Sequence, residues 1–194
     1  MPQAITRYLF IRLSARRRDH ILKIENIVCL CNLNSPINLH ELCKLVDLEF
    51  EPEQFPGAFF RIGKIVVTLY KSGKFLITGA KSIEEINETF NLVKDTLSAI
   101  ADTTLCSKPQ IVNMVCSSNV MPIKNVQKLY IQMCKMNLDV TYEPETSHLL
   151  ILKTKNCTYC INPSGRYNIY GCSSMDSILN AEQYLVELLA SLQH

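Results

Sequence analysis

Two asparagines, Asn26 and Asn113, occupy matching positions in two similar segments of the chain. Each opens a run in which an apolar residue, a valine and a cysteine follow the asparagine. A primary amide both donates and accepts hydrogen bonds, so it can recognise a polar ligand. Both segments alternate as strands do, which puts Val28 and Val115 on the same faces as their asparagines. These residues therefore offer hydrogen bonding from an otherwise apolar surface.

The cysteines raise the question of a metal site. Cys157 and Cys160 form a CxxC pair, and Cys29 and Cys31 are close in sequence. A structural zinc site needs four ligands, usually from two paired motifs. The CxxC pair lies on a predicted strand without a knuckle turn, and Cys29 and Cys31 are predicted to face the core. We predict no metal and no cofactor, and nine cysteines without a secretory signal predict reduced thiols.

The sequence offers little support for an enzyme active site. The four histidines are His20, His40, His148 and His194. They stand in no nucleophile–base pattern and no metal-ligand spacing, and no Gly-rich phosphate loop is present. We predict that the protein is not an enzyme. No run approaches the roughly 20 apolar residues of a membrane span, so no membrane partner is predicted.

The chain contains an internal repeat. After the asparagine segments, the landmarks in order are Pro36-Ile37 and Pro122-Ile123, Glu51-Pro52-Glu53 and Glu143-Pro144-Glu145, Ser72-Gly73-Lys74 and Ser164-Gly165-Arg166, and Gly79 and Gly171. The offset is 87 at the asparagines, 86 at the prolines and 92 at the last three pairs. The second repeat is therefore predicted to hold about six extra residues in its first helical region.

Each repeat is predicted to fold as a strand, a helix, four strands and a helix. In the first repeat we predict strands at 24–31, 57–63, 65–71 and 74–79, and helices at 38–47 and 82–101. Apolar residues at 3- and 4-residue spacing predict helices at 82–101 and 174–192, with Ser82 as the N-cap of the first. Two strand-rich halves with helices on one face make an α+β fold with pseudo-twofold symmetry.

Positive charge is concentrated in the predicted sheet segments and negative charge in the predicted long helices. Residues 55–81 hold five lysines and arginines and no acid, and residues 147–171 hold three and no acid. The helices at 82–101 and 174–192 each carry three more acids than bases. Such charges on one segment often only solubilise a sheet or protect its edges. The same polarity in both repeats favours a basic face for a polyanion.

Residues 1–18 carry five arginines and no acid. A mitochondrial presequence has this character, and so does a basic arm that contacts nucleic acid or a partner. We divide the chain into a basic arm at 1–22, a first repeat at 23–104 and a second repeat at 105–194.

Together these ordered motifs and Thr78-Gly79-Ala80-Lys81 resemble the TATA-binding protein core over residues 24–192. The resemblance implies a saddle of two repeats. Its curved antiparallel sheet carries helices on the convex face and lies with its concave face on the DNA minor groove. The implied DNA contacts are Asn26, Val28, Phe55, Phe59, Arg61, Thr68, Tyr70, Lys74, Leu76, Thr78, Asn113, Val115, Lys153 and Arg166. In the minor groove A·T pairs present only acceptors, which an amide from each repeat can meet.

The resemblance also identifies positions for side chains that wedge between base pairs and kink the duplex. Phe55 and Tyr70 hold these positions in the first repeat, whereas Ser147 and Asn162 hold them in the second. We therefore expect the first repeat to be able to kink the duplex at its end of the saddle and the second repeat to be compromised in this. Both repeats also lack two residues of the family's turn between the third and fourth strands, a symmetric loss that favours a working variant.

The implied partners are A/T-rich double-stranded promoter DNA, a protein of the transcription factor IIB type and the RNA polymerase machinery, and the implied location is the nucleus. Glu143 and Glu145 match the positions that receive the IIB-type partner. The loss of wedges leaves an alternative open, in which the protein is an adaptor that acts mainly by recruiting proteins. A third alternative, binding of RNA–DNA hybrids or damaged DNA, fits the two full repeats less well.

Overall fold

The computed structural model describes residues 9–10 and 21–192 of the chain. The strands are β1 (Leu9–Phe10), β2 (Ile21–Asn32), β3 (Gly57–Ile62), β4 (Ile65–Tyr70), β5 (Lys74–Ala80), β6 (Gln110–Asn119), β7 (Asp139–Tyr142), β8 (Leu150–Lys153), β9 (Thr158–Ile161) and β10 (Arg166–Cys172). The helices are α1 (Leu39–Leu45), α2 (Ile83–Leu97), α3 (Val126–Lys135) and α4 (Met175–Leu192). The α+β class is confirmed. Most of the predicted arm at 1–22 lies outside the described residues.

The first compact unit comprises residues 26–112. Its strands follow the order β3-β4-β5-β2, and every neighbouring pair is antiparallel. Helix α2 packs on β5, where the rings of Phe75 and Phe90 stack with centroids 6.2 Å apart. Alternate residues such as Ile77 and Cys29 are fully buried on this helix-covered side. The period-2 pattern therefore places the other set of side chains on the opposite face.

The described part of the second compact unit comprises residues 113–192 together with the chain segment that ends at Glu25. Its strand order is β6-β10-β9-β8-β7, again antiparallel. The Tyr159 hydroxyl donates a 2.9 Å hydrogen bond to the carbonyl of Ala181 on α4, and the Tyr167 hydroxyl donates a 3.0 Å bond to Glu182. Burial raises the pKa of both tyrosines, so both stay protonated donors.

One prediction about the first repeat is wrong. Only three strands follow α1, and the expected fourth is reduced to a single bridge between Glu49 and Phe59. Five residues separate the end of α1 from Glu51, whose carbonyl already accepts the backbone N–H of Phe55 in the next turn. In the second repeat α3 has 10 residues against 7 in α1, and β7 has 4. The predicted extra residues of the second repeat thus lie partly in the longer helix α3 and partly in the segment that forms β7.

The predicted core position of Cys29 and Cys31 is confirmed. Cys29 and Cys31 are fully buried, and all nine cysteines are free. Burial raises the pKa of Cys29 to about 11 and that of Cys31 to about 12. These thiols therefore act as small core residues. Within residues 21–192, no helix combines the length and apolar character that crossing a bilayer requires.

Candidate nucleic-acid interface

We call the face of each sheet that lies opposite its long helix the open face of that unit. In the first unit it is made of two cross-strand rows. One row consists of Phe59, Thr68, Leu76 and Leu30. The other consists of Arg61, Val66, Thr78 and Val28. The strand register thus brings the predicted contact residues of four strands together on one surface.

Leu30 and Val66 also belong to these rows, although no motif in the sequence marks them as contact residues. Their position on the face follows from period 2, since Leu30 is two residues after Val28 and Val66 is two before Thr68. Thr68 is only 9% exposed, because its short side chain lies between the larger residues of neighbouring strands. The surface is therefore mainly apolar, with short polar groups at its centre.

The two basic residues of this face are placed differently. Lys74 is exposed at the start of β5, opposite Asn32. Arg61 pairs with Glu49, its Nε lying 3.0 Å from the Glu49 Oε1. The pair lowers the pKa of Glu49 and raises that of Arg61. Both side chains are well exposed, so solvent screens the pair and leaves the guanidinium able to exchange partners.

An aromatic cluster stands at one end of the open face. The ring of Phe55 stacks on that of Phe59 at 5.0 Å between centroids, and the ring of Tyr70 is 6.1 Å from that of Phe55. Gly57 pairs with Tyr70 beneath them. A Cβ at Gly57 would lie 2.8 Å from Cε1 of Phe55 and 3.0 Å from the Leu69 carbonyl oxygen. A larger residue at this position would therefore require the Phe55 ring and the neighbouring backbone to shift.

The paired asparagines share one hydrogen-bond arrangement. The backbone N–H of Gly79 donates to Oδ1 of Asn26 at 2.8 Å, and that of Gly171 donates to Oδ1 of Asn113 at 3.1 Å. The described residues provide no hydrogen-bond partner for Nδ2 of either amide. Each glycine has positive φ, 102° and 91° respectively, a conformation that favours glycine. The sequence marks these glycines as repeat landmarks, but not as the groups that orient the amides.

The open face of the second unit is more polar. Its first row consists of Thr141, Ile151, Cys160, Asn168 and Ser117. Its second row consists of Asp139, Lys153, Thr158 and Tyr170, with Val115 on the same face of β6. Lys153 lies directly opposite Asp139, and Nδ2 of Asn168 donates to the Tyr170 hydroxyl at 3.1 Å. Hydrogen-bonding side chains thus replace the apolar ones of the first unit.

Two turn residues occupy the positions where the first unit has Phe55 and Tyr70. Oγ of Ser147 accepts the backbone N–H of Leu149 at 3.2 Å. Oδ1 of Asn162 accepts the backbone N–H of Ser164 at 2.9 Å. Both side chains therefore stabilise local turns, and neither provides a ring to insert between bases.

The remaining predicted residues lie on separate parts of the second unit. Glu143 and Glu145 are exposed in the turn after β7, and the Thr146 hydroxyl lies 3.3 Å from Oε2 of Glu143. Arg166 begins β10 opposite Asn119, with 70% of its side chain exposed. The glutamates and Arg166 thus belong to different elements.

The CxxC pair does not form a ligand set. Cys157 is buried before β9, whereas Cys160 lies half-buried on the open face. Across residues 21–192, no group of three or more His, Cys, Asp or Glu side chains is arranged to hold a metal ion.

Known proteins share this architecture. A family model described as "Transcription factor TFIID (or TATA-binding protein, TBP)" matches residues 21–100 and 108–192. The TATA-box-binding protein of Aeropyrum pernix is 35% identical over 172 residues, which cover 82% of this chain and 80% of the relative. That of Sulfolobus acidocaldarius is 32% identical over 179 residues, covering 89% and 88%. The "TATA-box-binding protein-like 1" of Entamoeba histolytica is 36% identical over 95 residues, covering 47% and 44%.

A solved structure is also similar. The structure of "Methanococcus jannaschii TBP" superposes with a TM-score of 0.77 at 26% sequence identity. The match covers 88% of this chain and 98% of that one.

Proposed function

The chain belongs to the TATA-binding protein family, and we propose that it binds A/T-rich promoter DNA through the minor groove, bends it and nucleates a transcription initiation complex. The observation that carries the proposal is the open face of the first unit. Two mainly apolar rows, a cluster of three aromatic rings and an oriented amide share that surface. This composition suits a groove whose floor presents acceptors and whose base steps can be unstacked.

The asparagines supply selectivity in this proposal. Because Gly79 donates to Oδ1 of Asn26, the amide is oriented with its NH2 group available to a ligand. An NH2 group can donate to A N3 or T O2, which are the acceptors that A·T pairs present in the minor groove. Asn113 repeats the arrangement with Gly171. A G·C pair adds an exocyclic amino group, which an apolar surface excludes and a second donor repels.

The two repeats contribute unequally to bending. Phe55, Phe59 and Tyr70 form a ring cluster that can insert at a base step, with Gly57 leaving room beneath it. In the second repeat Ser147 and Asn162 are engaged in turns. We infer an asymmetric bend with its main kink at the end bound by the first repeat. Lys74, Lys153, Arg61 and Arg166 would contact the phosphates on either side.

Partner recruitment is the second part of the proposal. Glu143 and Glu145 present exposed carboxylates in the turn after β7 and would receive a basic surface of a IIB-type factor, which in turn brings the RNA polymerase machinery. A factor of this family acts where the DNA is. Its relatives include archaeal proteins as well as one from Entamoeba histolytica, so the nucleus stays a prediction.

A second candidate function rests on the polar open face of the second unit. If Asn168, Tyr170, Ser147 and Asn162 prevent close contact with the groove, the protein would act as an adaptor that recruits other factors. It would touch DNA weakly and without a kink.

A mobility-shift experiment separates the two functions. The probes are a TATA duplex and a G·C duplex of equal length, each with and without a IIB-type protein. Selective shift of the TATA duplex by the protein alone supports the promoter-binding function. A shift only when the IIB-type protein is added, with equal preference for both duplexes, supports the adaptor.

A further inference from the structure

Glu25 forms a polar cluster in the second unit that includes Lys23, Ser117 and Arg166. Its Oε1 lies 2.9 Å from Nζ of Lys23, 2.7 Å from Oγ of Ser117 and 4.0 Å from the guanidinium of Arg166. Lys23 also donates to Oε2 at 3.1 Å. The Glu25 side chain is 25% exposed, whereas those of Lys23 and Arg166 are 45% and 70% exposed. One partly buried carboxylate thus engages two exposed cations.

Ser117 and Arg166, the members of the cluster on β6 and β10, lie on the open face of the second unit. Ser117 pairs with Asn168 across β6 and β10, and directly opposed residues of a sheet share a face. Arg166 is two residues before Asn168, so it lies on that face as well. Ser117 is only 5% exposed, and its hydroxyl donates a hydrogen bond to the Glu25 carboxylate. This hydrogen bond holds the carboxylate next to side chains that would face DNA.

We propose that Glu25 is an internal counter-anion that occupies Lys23 and Arg166 and thereby limits how strongly the second repeat binds the DNA backbone. The inference rests on the proposed function. A phosphate that approaches Arg166 must compete with a carboxylate already beside it and is also repelled by that carboxylate's charge. Glu25 is then a specificity-determining residue that keeps binding dependent on the first repeat.

Comparison of the two repeats supports the assignment. The residue before the second asparagine is Val112, so the strand that carries the asparagine does not require an acid at this position. The counterpart of Arg166, at the same place after the Ser-Gly turn, is Lys74. Within residues 21–192, Lys74 has no carboxylate partner, whereas Arg166 has one. These two matched cations therefore differ in whether a carboxylate lies beside them.

Glu25→Gln tests this proposal with little change of shape. A glutamine keeps an oxygen that can accept from Ser117 but loses the charge that attracts Lys23 and Arg166. We expect the variant to bind a TATA duplex about 3- to 10-fold more tightly at low salt, because freed cations release more counterions from the DNA. The slope of log K against log salt is expected to steepen by about one for each new phosphate contact.

A double-mutant cycle shows whether the gain comes from Arg166. Arg166→Ala should weaken binding less than about 2-fold in the wild-type background but about 5-fold or more in the Glu25→Gln background. Lys74→Ala is the matched control, since it should weaken binding by the same factor in both backgrounds. Thermal unfolding of each variant verifies that it is folded.

The outcomes separate this inference from the proposed function. If the wild type binds and Glu25→Gln binds no more tightly, or if Arg166→Ala has equal effects in both backgrounds, the counter-anion role is wrong while DNA binding stands. If no variant, including the wild type, binds any duplex at low salt, the DNA-binding function fails and the inference fails with it.

Discussion

The backbone N–H of Gly79 donates a 2.8 Å hydrogen bond to the side-chain oxygen of Asn26, and this bond orients an amide on the open face of the first unit. The second unit repeats the arrangement with Gly171 and Asn113 at 3.1 Å. In each repeat a backbone N–H thus binds the side-chain oxygen of the asparagine, and the NH2 group of that side chain can donate to a ligand. Because the same geometry recurs in two repeats of different composition, we expect it to serve recognition more than stability.

Asn26→Asp separates these two roles. Aspartate keeps an oxygen for the Gly79 N–H but has no NH2 group and adds a negative charge, so the fold should survive while DNA binding fails. We expect a loss of at least about 10-fold in affinity for a TATA duplex, since one lost base contact costs roughly 1–3 kcal/mol. Fluorescence anisotropy measures the affinity and thermal unfolding measures the stability. Unchanged affinity would remove the amide from recognition.

Gly79→Ala is predicted to destabilise the protein, with Gly63→Ala as the matched control. Both glycines have positive φ, 102° and 59°, but a Cβ at Gly79 would lie 2.6 Å from the Lys64 carbonyl oxygen, whereas a Cβ at Gly63 meets no atom within 4 Å. We expect Gly63→Ala to cost about 1 kcal/mol in free energy of unfolding and Gly79→Ala at least about 2 kcal/mol more. Urea unfolding provides both values, and equal costs would contradict the close approach seen at Gly79.

The buried thiols predict a loss of stability at alkaline pH. Burial raises the pKa of Cys29 to about 11 and those of Cys31 and Cys116 to about 12, from an ordinary 9.0. Between pH 9 and 11 the unfolded chain therefore releases thiol protons that the folded chain retains. Their contribution to stability is complete below pH 9 and declines as the pH rises, by up to about 1.4 kcal/mol per pH unit for each thiol.

Urea unfolding under reducing conditions at pH 8 and pH 10 measures this decline. Cys31→Ala removes one buried thiol and should make the decline smaller. Cys43→Ala removes an exposed thiol of α1 and should leave it as in the wild type. A decline that is the same in all three proteins would show that other groups cause it.

Much of this fold can be predicted from the sequence because its signals are local and repeated. The apolar stripe of residues 82–101 and the Ser82 cap locate α2, and Ser82 does accept the N–H of Glu85. Strand period predicts that Leu76 and Thr78 share one face of β5, and the register brings Phe59 of β3 onto that same face. The prediction of a fourth strand in the first repeat is wrong because the few residues between α1 and the following turn leave no room for one. Strand periodicity does not take this spacing into account.

Pairings between distant residues are harder to predict. Arg61 and Glu49 are 12 positions apart, and Glu25 and Ser117 are 92 apart. Each contact depends on strand register and side-chain direction, which composition and periodicity do not determine. The sequence therefore identifies basic residues on the face, whereas the structure shows that Arg61 and Arg166 each have a carboxylate beside them.

A circular-permutation bend assay tests the central claim most directly, using a TATA duplex with wild-type protein, Phe55→Ala and Ser147→Ala. Phe55 stacks on Phe59 and should drive the kink, whereas Ser147 accepts only a backbone N–H in a turn. We predict a clear bend for the wild type, a smaller bend for Phe55→Ala at protein concentrations that saturate the duplex, and a bend like that of the wild type for Ser147→Ala. A straight duplex with the wild type, or equal losses from the two substitutions, would contradict minor-groove bending led by the first repeat.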